Sequence, residues 1–294
     1  MRRRRRGPLS MPVSRASELV YLNDVTNERP APYGRRWQAS IGGALRDVLI
    51  DDRHGPLPVM LLALTVLGGV VDAVSIAALD HVFVAAMTGN LVFIGLGIAG
   101  IRGFSVASSA ISLGAFLLGA LAGVHLCRGS GNHRGRALRN VAAFKAILAT
   151  PVTVIALLAG SDLGATVRTV ITLLLAASMG SQLALIRYLK VPDLLTVVMT
   201  LTMTGVLAER GRRDPGMLRR GLALAAFAAG VIAGGVLVRF VTVGAALAFG
   251  LAIILAVLVS SLRLSRTTAP WAAPAGRPGP ASPPVPAAPP GTPK

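Results

Sequence analysis

Eight long apolar stretches dominate this sequence. They lie near 57–79, 82–101, 105–127, 140–160, 164–187, 191–208, 221–240 and 243–261. A helix rises about 1.5 Å per residue, so about 20 residues cross a hydrocarbon layer about 30 Å thick. Most of the stretches reach that length. Lipid offers no partner to an unpaired backbone N–H or C=O, so a spanning stretch has to be helical. The alternating, weakly apolar pattern of an outer-membrane barrel is absent. Only 14% of the 294 residues are charged, where a soluble domain carries about a quarter. The expected fold is all-α: a polytopic membrane helix bundle with six to eight hydrophobic segments.

The formal charge of +18 would point to nucleic acid in a soluble protein. Here the basic residues gather in the tails and in the links between apolar segments, which marks cytoplasmic loops. An aromatic content of 4% leaves little for base stacking, and nucleic acid is not expected as a partner. Cys127 stands alone, so no internal disulfide and no cysteine-rich metal site is expected. Residues 1–55 are polar and arginine-rich, from Arg2 through Arg6 to Arg53. No apolar h-region follows the arginines, so they read as a basic, mostly disordered cytoplasmic tail rather than a signal peptide. Within it, Trp37, Ile41, Ala44, Leu45, Val48 and Leu49 fall at helical spacing. Two readings stay open there: a membrane-surface helix over 37–50 and a weakly structured linker. Residues 56–262 form the transmembrane domain. Residues 263–294 are rich in Ala, Pro and Gly and read as a second disordered tail.

Charge also bears on topology. If all eight stretches spanned, Arg128, Arg134, Arg136 and Arg139 would lie outside, against the positive-inside rule. If 82–101 and 191–208 are broken or re-entrant, every strongly basic loop and both termini face the cytoplasm. Each half then has three full spans, an odd number, so the halves are inverted repeats of the kind common in transporters. The repeat is faint in the sequence. Val71–Leu96 resembles Met179–Ala208, with Asp72 set against Gln182 and Met87-Thr88 against Met199-Thr200. Eight plain spans, or six to seven with merged segments, are the other readings.

The run VDAVSIAALDHVFVAAMTGN resembles the YoaK-type family of predicted bacterial permeases, a membrane domain of unknown function. MGSQLALIR and VPDLLTVVMTLTMTGVLAE in the second half are similar to the same family. The motifs that carry the resemblance are Asp72-Ala73, Phe83, Met87-Thr88-Gly89-Asn90 and Met179-Gly180-Ser181-Gln182. They extend over roughly residues 56 to 262. Leu201 departs from the pattern, and Thr-Gly recurs at Thr204-Gly205. The resemblance implies a multi-pass protein of the bacterial inner membrane; it names no known substrate, and no catalytic residues carry over from it.

Several residues stand out as candidates for binding or coupling. An aspartate at mid-membrane costs roughly 2.5–3.5 kcal/mol on insertion scales, so Asp72 should face the protein interior or a watery cavity. It reads as a proton or cation site, or as a structural hydrogen-bonding group. Thr88, Gly89 and Asn90 interrupt an apolar run, either as a solute site in a broken helix or as a packing contact. Gln182 and Thr200, with Ser181, Thr196, Thr202 and Thr204, form the matching polar set in the second half. Lys145 and Arg168 are expected to snorkel to the interface. No metal-ligand spacing, phosphate loop or nucleophile motif is visible, so no metal, cofactor or enzymatic activity is expected. The sequence reads as a small-solute permease in contact with membrane lipids, and it leaves room for a homo-oligomer. The alternative is a non-transporting scaffold or sensor that binds anionic lipid or a partner through its basic surface.

Overall fold

The computed structural model describes residue 50 and residues 54–160, 163–191 and 215–273. Among the described residues, six long apolar helices and one short one form the bundle. They are α1 (Leu57–Ala78), α2 (Met87–Ile98), α3 (Val106–Arg128), α4 (Arg134–Ala159), α5 (Ala165–Leu189), α6 (Pro215–Phe240) and α7 (Val243–Leu264). Their starts follow local chemistry. Pro58 sits in the first turn of α1, where a missing N–H costs nothing. The Ser105 hydroxyl accepts from the Ser108 amide at α3, and Thr242 Oγ1 accepts from Ala245 at α7. Thr200 and nearly all of 37–50 and of 191–208 lie outside the described residues.

Six helices of 22 to 26 residues are long enough to cross a membrane. The 12 residues of α2 reach only about 18 Å, short of a hydrocarbon layer about 30 Å thick. The segment at 82–101 therefore does not span. Helix directions agree. Gln182 of α5 bonds the Leu64 carbonyl of α1, and Met179 covers Gly68, so α1 and α5 run antiparallel. Gly119 of α3 abuts Ala177 and Gly123 abuts Ser181, so α3 and α5 run parallel. Consequently α1 ends, and α3 begins, at the same end of the bundle. The chain between them goes in and comes back.

The two largest interfaces are α3 with α5 and α1 with α6, followed by α4 with α7. In lipid, helix association relies on close van der Waals packing, which favours small residues. A Cβ on Gly119 would lie 1.9 Å from the Ala177 carbonyl oxygen, and one on Gly230 would lie 2.1 Å from that of Val66. These are the same contact in two copies. Gly69, Gly119 and Gly123 correspond to Gly180, Gly230 and Gly234, each 111 positions on. Their partners keep that spacing. Gly69 meets Phe227 and Val231, while Gly180 meets Phe116 and Ala120. Gly234 meets Val70 and Ala73, while Gly123 meets Ser181 and Ala184. The bundle is thus two inverted halves, α1 to α4 and α5 to α7, each donating one helix to either seam.

That register corrects the sequence alignment by one residue. Gln182 matches Val71, and Asp72 matches Leu183. Met199 and Thr200, set against Met87 and Thr88 in the sequence, lie outside the described residues. Apolar segments rich in Ala, Leu and Val give little to anchor a register, and the seam glycines supply it.

The ends of the bundle differ in charge. Arg128, Arg136, Arg187, Lys190, Arg263 and Arg266 are exposed at one end, here the basic end. The opposite end carries Asp80, His81, Arg102 and Arg168. Residues 265–273 come from the stretch that composition groups with the C-terminal tail. They pack back on the basic end, where the Trp271 ring covers Gly55 and the His133 imidazole bonds the Thr267 carbonyl at 2.9 Å.

Candidate intramembrane polar site

The extended strip between α1 and α2 is the first part of the site. Non-helical backbone at membrane depth must be satisfied by the protein around it. Asn90 does most of this. Its Oδ1 accepts from the Phe83 amide at 2.9 Å, and its Nδ2 donates to the Phe83 carbonyl. Ser112 of α3 donates to the same carbonyl at 2.6 Å. The Phe83 ring stacks on Phe93, with centroids 5.6 Å apart, and lies against Gly89, where a side chain would collide with it. The backbone amides of Val84 and Ala85 are directed at the Asp72 carboxylate. Asp72, Asn90 and Ser112 therefore hold one strip of backbone from three helices.

This arrangement places the expected residues unevenly. Asn90 is fully buried and its amide is committed to Phe83, while Thr88 is exposed. Gly89 serves the packing of Phe83. Asp72 is 8% exposed, and its Oδ1 has no partner among the described residues. It lies six positions from the end of α1, about 9 Å along the helix, between the helix midpoint and the end opposite the basic one. Ser75 bonds the Asp72 carbonyl, as a helix-interior serine commonly does.

The second part lies where the halves meet. Gln182 is 1% exposed; its Nε2 bonds the Leu64 carbonyl at 3.0 Å and its Oε1 is unpartnered. Lys145 does not snorkel. It sits midway along α4, is 1% exposed, and donates to the Ser178 carbonyl at 3.3 Å and to Met179 Sδ at 3.8 Å. The position within α4 is too far from either end for its stem to reach the interface. Met179 in turn covers Gly68, one helical turn from Asp72 on the same face of α1. One thioether thus stands between the lysine and the face that bears the acid.

Beside Lys145, α1, α4, α5 and α7 enclose a cavity of about 10 Å³ whose walls include Leu67, Thr153, Ser178, Met179 and Leu247. Thr153 Oγ1 bonds Ala149 within its own helix and reaches the Leu247 carbonyl of α7 at 3.4 Å. Pro151, one turn away, leaves the Ile147 carbonyl without its helical donor. The cavity lies at the centre of the inverted pair and holds at most about one water. Arg168 pairs with Asp80 at 3.0 Å near the surface, not with Asp72.

Lys145, Ser112 and Phe83 were not singled out as site residues in the sequence. Ser112 lies at helical spacing from Ser105, Ser108 and Ser109, and that serine face was the available signal. The fold that Phe83 closes could not be foreseen from its neighbours in the chain.

Comparison with known families places residues 60–260 in a match to the family described as "Protein of unknown function (DUF1275)". No curated protein and no solved structure matches the chain.

Proposed function

Because the chain belongs to the DUF1275 family, whose function is unknown, its chemistry has to come from its own residues, and we propose that it is a small-solute permease. The observation that carries this reading is the pair of inverted halves with a broken element, α2, packed beside a buried acid. Inverted repeats let one scaffold close at either end by rocking one half against the other. The glycine seams are the surfaces on which the halves would move, and the small central cavity corresponds to a closed state. The resemblance to YoaK-type permeases points the same way.

In this proposal Asp72 is the coupling group, with one carboxylate oxygen open to a ligand. Gln182 supplies an unpartnered carbonyl oxygen at the inter-half contact, and Lys145 a cation beside the central cavity. Thr88 and Thr200 are contacts of the solute pathway, and Asn90 and Gly89 shape the strip that borders it. The basic end faces the cytoplasm of a bacterial inner membrane, with both termini on that side, as the positive-inside rule requires. The chain performs no covalent chemistry and needs no cofactor.

Reconstitution tests the coupling role. Proteoliposomes with an internal pH dye are exposed to a panel of small amino acids, carboxylates and polyols. The native protein is expected to give solute-dependent proton movement and Asp72→Asn to abolish it. Native behaviour in a stably folded Asp72→Asn protein overturns the role of Asp72.

The exposed Arg128, Arg136, Arg187, Lys190, Arg263 and Arg266 favour a second reading, a scaffold or sensor that docks on anionic lipid or a partner. Removing residues 1–55 separates the two. Intact solute flux with lost vesicle binding supports transport by the helical core.

A further inference from the structure

Two buried oxygen atoms toward the end opposite the basic one, Ser109 Oγ and Asp72 Oδ1, have no partner among the described residues. Ser109 is fully buried. Other buried hydroxyls bond back to their own helix, as Thr65 and Thr153 do to Leu61 and Ala149, or reach a loop carbonyl, as Ser112 does. A buried hydroxyl that forgoes this bond is a place for water or a mobile ligand.

Ser109 is not isolated. Ser105, Ser108, Ser109 and Ser112 share one face of α3, three and four positions apart. At its outer end, Ser105 and Ser108 join Asp80, His81, Gly103 and Phe104 around an open groove of about 460 Å³. At its inner end, Ser112 holds the Phe83 carbonyl, and the next two amides are directed at Asp72. Polar atoms therefore run from the groove, down α3 and across one strip of backbone to the carboxylate. The groups on this run that suit a hard cation are the serine hydroxyl oxygens and the Asp72 carboxylate at its end. No lysine or arginine lines the groove, and the nearby Arg168 is tied to Asp80.

We propose that this serine face is the access path by which a hydrated monovalent cation, a proton or an alkali ion, reaches Asp72. The inference rests on the permease reading and adds to it the class of the coupling ion and the end from which it enters. The solute needs a wider opening between the halves; the ion needs only a file of water along Ser108, Ser109 and Ser112.

Thiol labelling tests this in the full chain. Cys127, the one native cysteine, is replaced by alanine. Ser109→Cys is the main probe, because the Ser109 hydroxyl makes no bond and the swap is nearly isosteric. Ser105→Cys and Ser112→Cys mark the ends of the path, and Ala137→Cys, at a fully buried core position, sets the unreactive baseline. Methanethiosulfonate reagents attack the thiolate, which forms only where water reaches. Sealed vesicles labelled from either side are expected to show all three serine positions reacting from the side that bears Asp80. The cationic reagent is expected to outpace the anionic one at position 109 by about tenfold, as focusing by a buried acid produces. Asp72→Asn is expected to remove that preference. Protection of position 109 by Na⁺ or K⁺ at constant ionic strength identifies an alkali ion. Labelling indifferent to both, with flux driven by a pH gradient, identifies the proton.

Reactivity at position 109 no greater than at 137, or a cationic preference that survives Asp72→Asn, overturns the path. A reactive, charge-selective path in a protein that moves no solute keeps the path and overturns the permease reading.

Discussion

The two inter-half seams are built alike, yet the polar groups beside them are not. Gly119 on Ala177 repeats Gly230 on Val66, contact for contact. At the same register, Asp72 stands opposite Leu183 and Gln182 opposite Val71. Packing has kept the symmetry because a closely packed helix pair tolerates little change in shape. Polar chemistry has not, because one acid and one backbone clamp suffice for one site. The first half carries the acid and the clamped strip, and the second reaches across with Gln182.

This difference can be broken at several points. The largest effects are expected at the seams. Gly119→Ala and Gly230→Ala each force a methyl group into a backbone carbonyl and should cost about 3 kcal/mol or more, the upper range for overpacking. The two losses should match, read as melting temperature in detergent. Gly114→Ala and Gly235→Ala have open space around them and should stabilise slightly, by up to about 1 kcal/mol, through helix propensity. Unequal costs at 119 and 230 would break the symmetry of the seams.

Asn90→Leu removes the side chain that serves both the amide and the carbonyl of Phe83. Ser112 still holds the carbonyl, so the amide alone is orphaned, at about 1–3 kcal/mol. Ser112→Ala, which removes one of two donors to the Phe83 carbonyl, should cost about 1 kcal/mol. Thermal unfolding separates these values. An Asn90→Leu protein as stable as the native one would show that the strip does not depend on the clamp.

Lys145→Met sharpens the contrast between fold and function. An apolar side chain of similar length replaces a buried ammonium that has one carbonyl and one thioether for company. The fold should be unchanged or more stable, since removing a buried charge outright is often neutral or favourable. Solute flux in proteoliposomes should fall. The smallest effect is expected for Asp80 and Arg168, both about one-third exposed. A double-mutant cycle should return about 0–1 kcal/mol.

The spans were legible because apolar length is a direct measure of reach, and charge in the loops argued against a crossing at 82–101. Helix α2 and the antiparallel run of α1 and α5 agree with that reading. The site was legible only in part. Asp72 and Gln182 declare themselves as polar residues in apolar runs. Asn90 did too, but its neighbours in sequence do not reveal that its amide turns back to Phe83. Lys145 looked like a snorkelling residue because its distance from the nearest loop was read from the apolar stretch, which begins at 140. In the structure α4 begins at Arg134, and the extra turns place Lys145 at its middle. Helix ends are set by caps and by packing at the basic end, and neither is visible in hydropathy.

The two inverted halves require that the chain between α1 and α3 return to the side it left. Single cysteines at Asp80, Arg102, Arg136 and Arg187, in a Cys127→Ala background, test this in sealed vesicles with a membrane-impermeant thiol reagent. Positions 80 and 102 should label from one side, and 136 and 187 from the other. Labelling of 80 and 102 from opposite sides would mean that the segment between them crosses the membrane, and would contradict the inverted architecture.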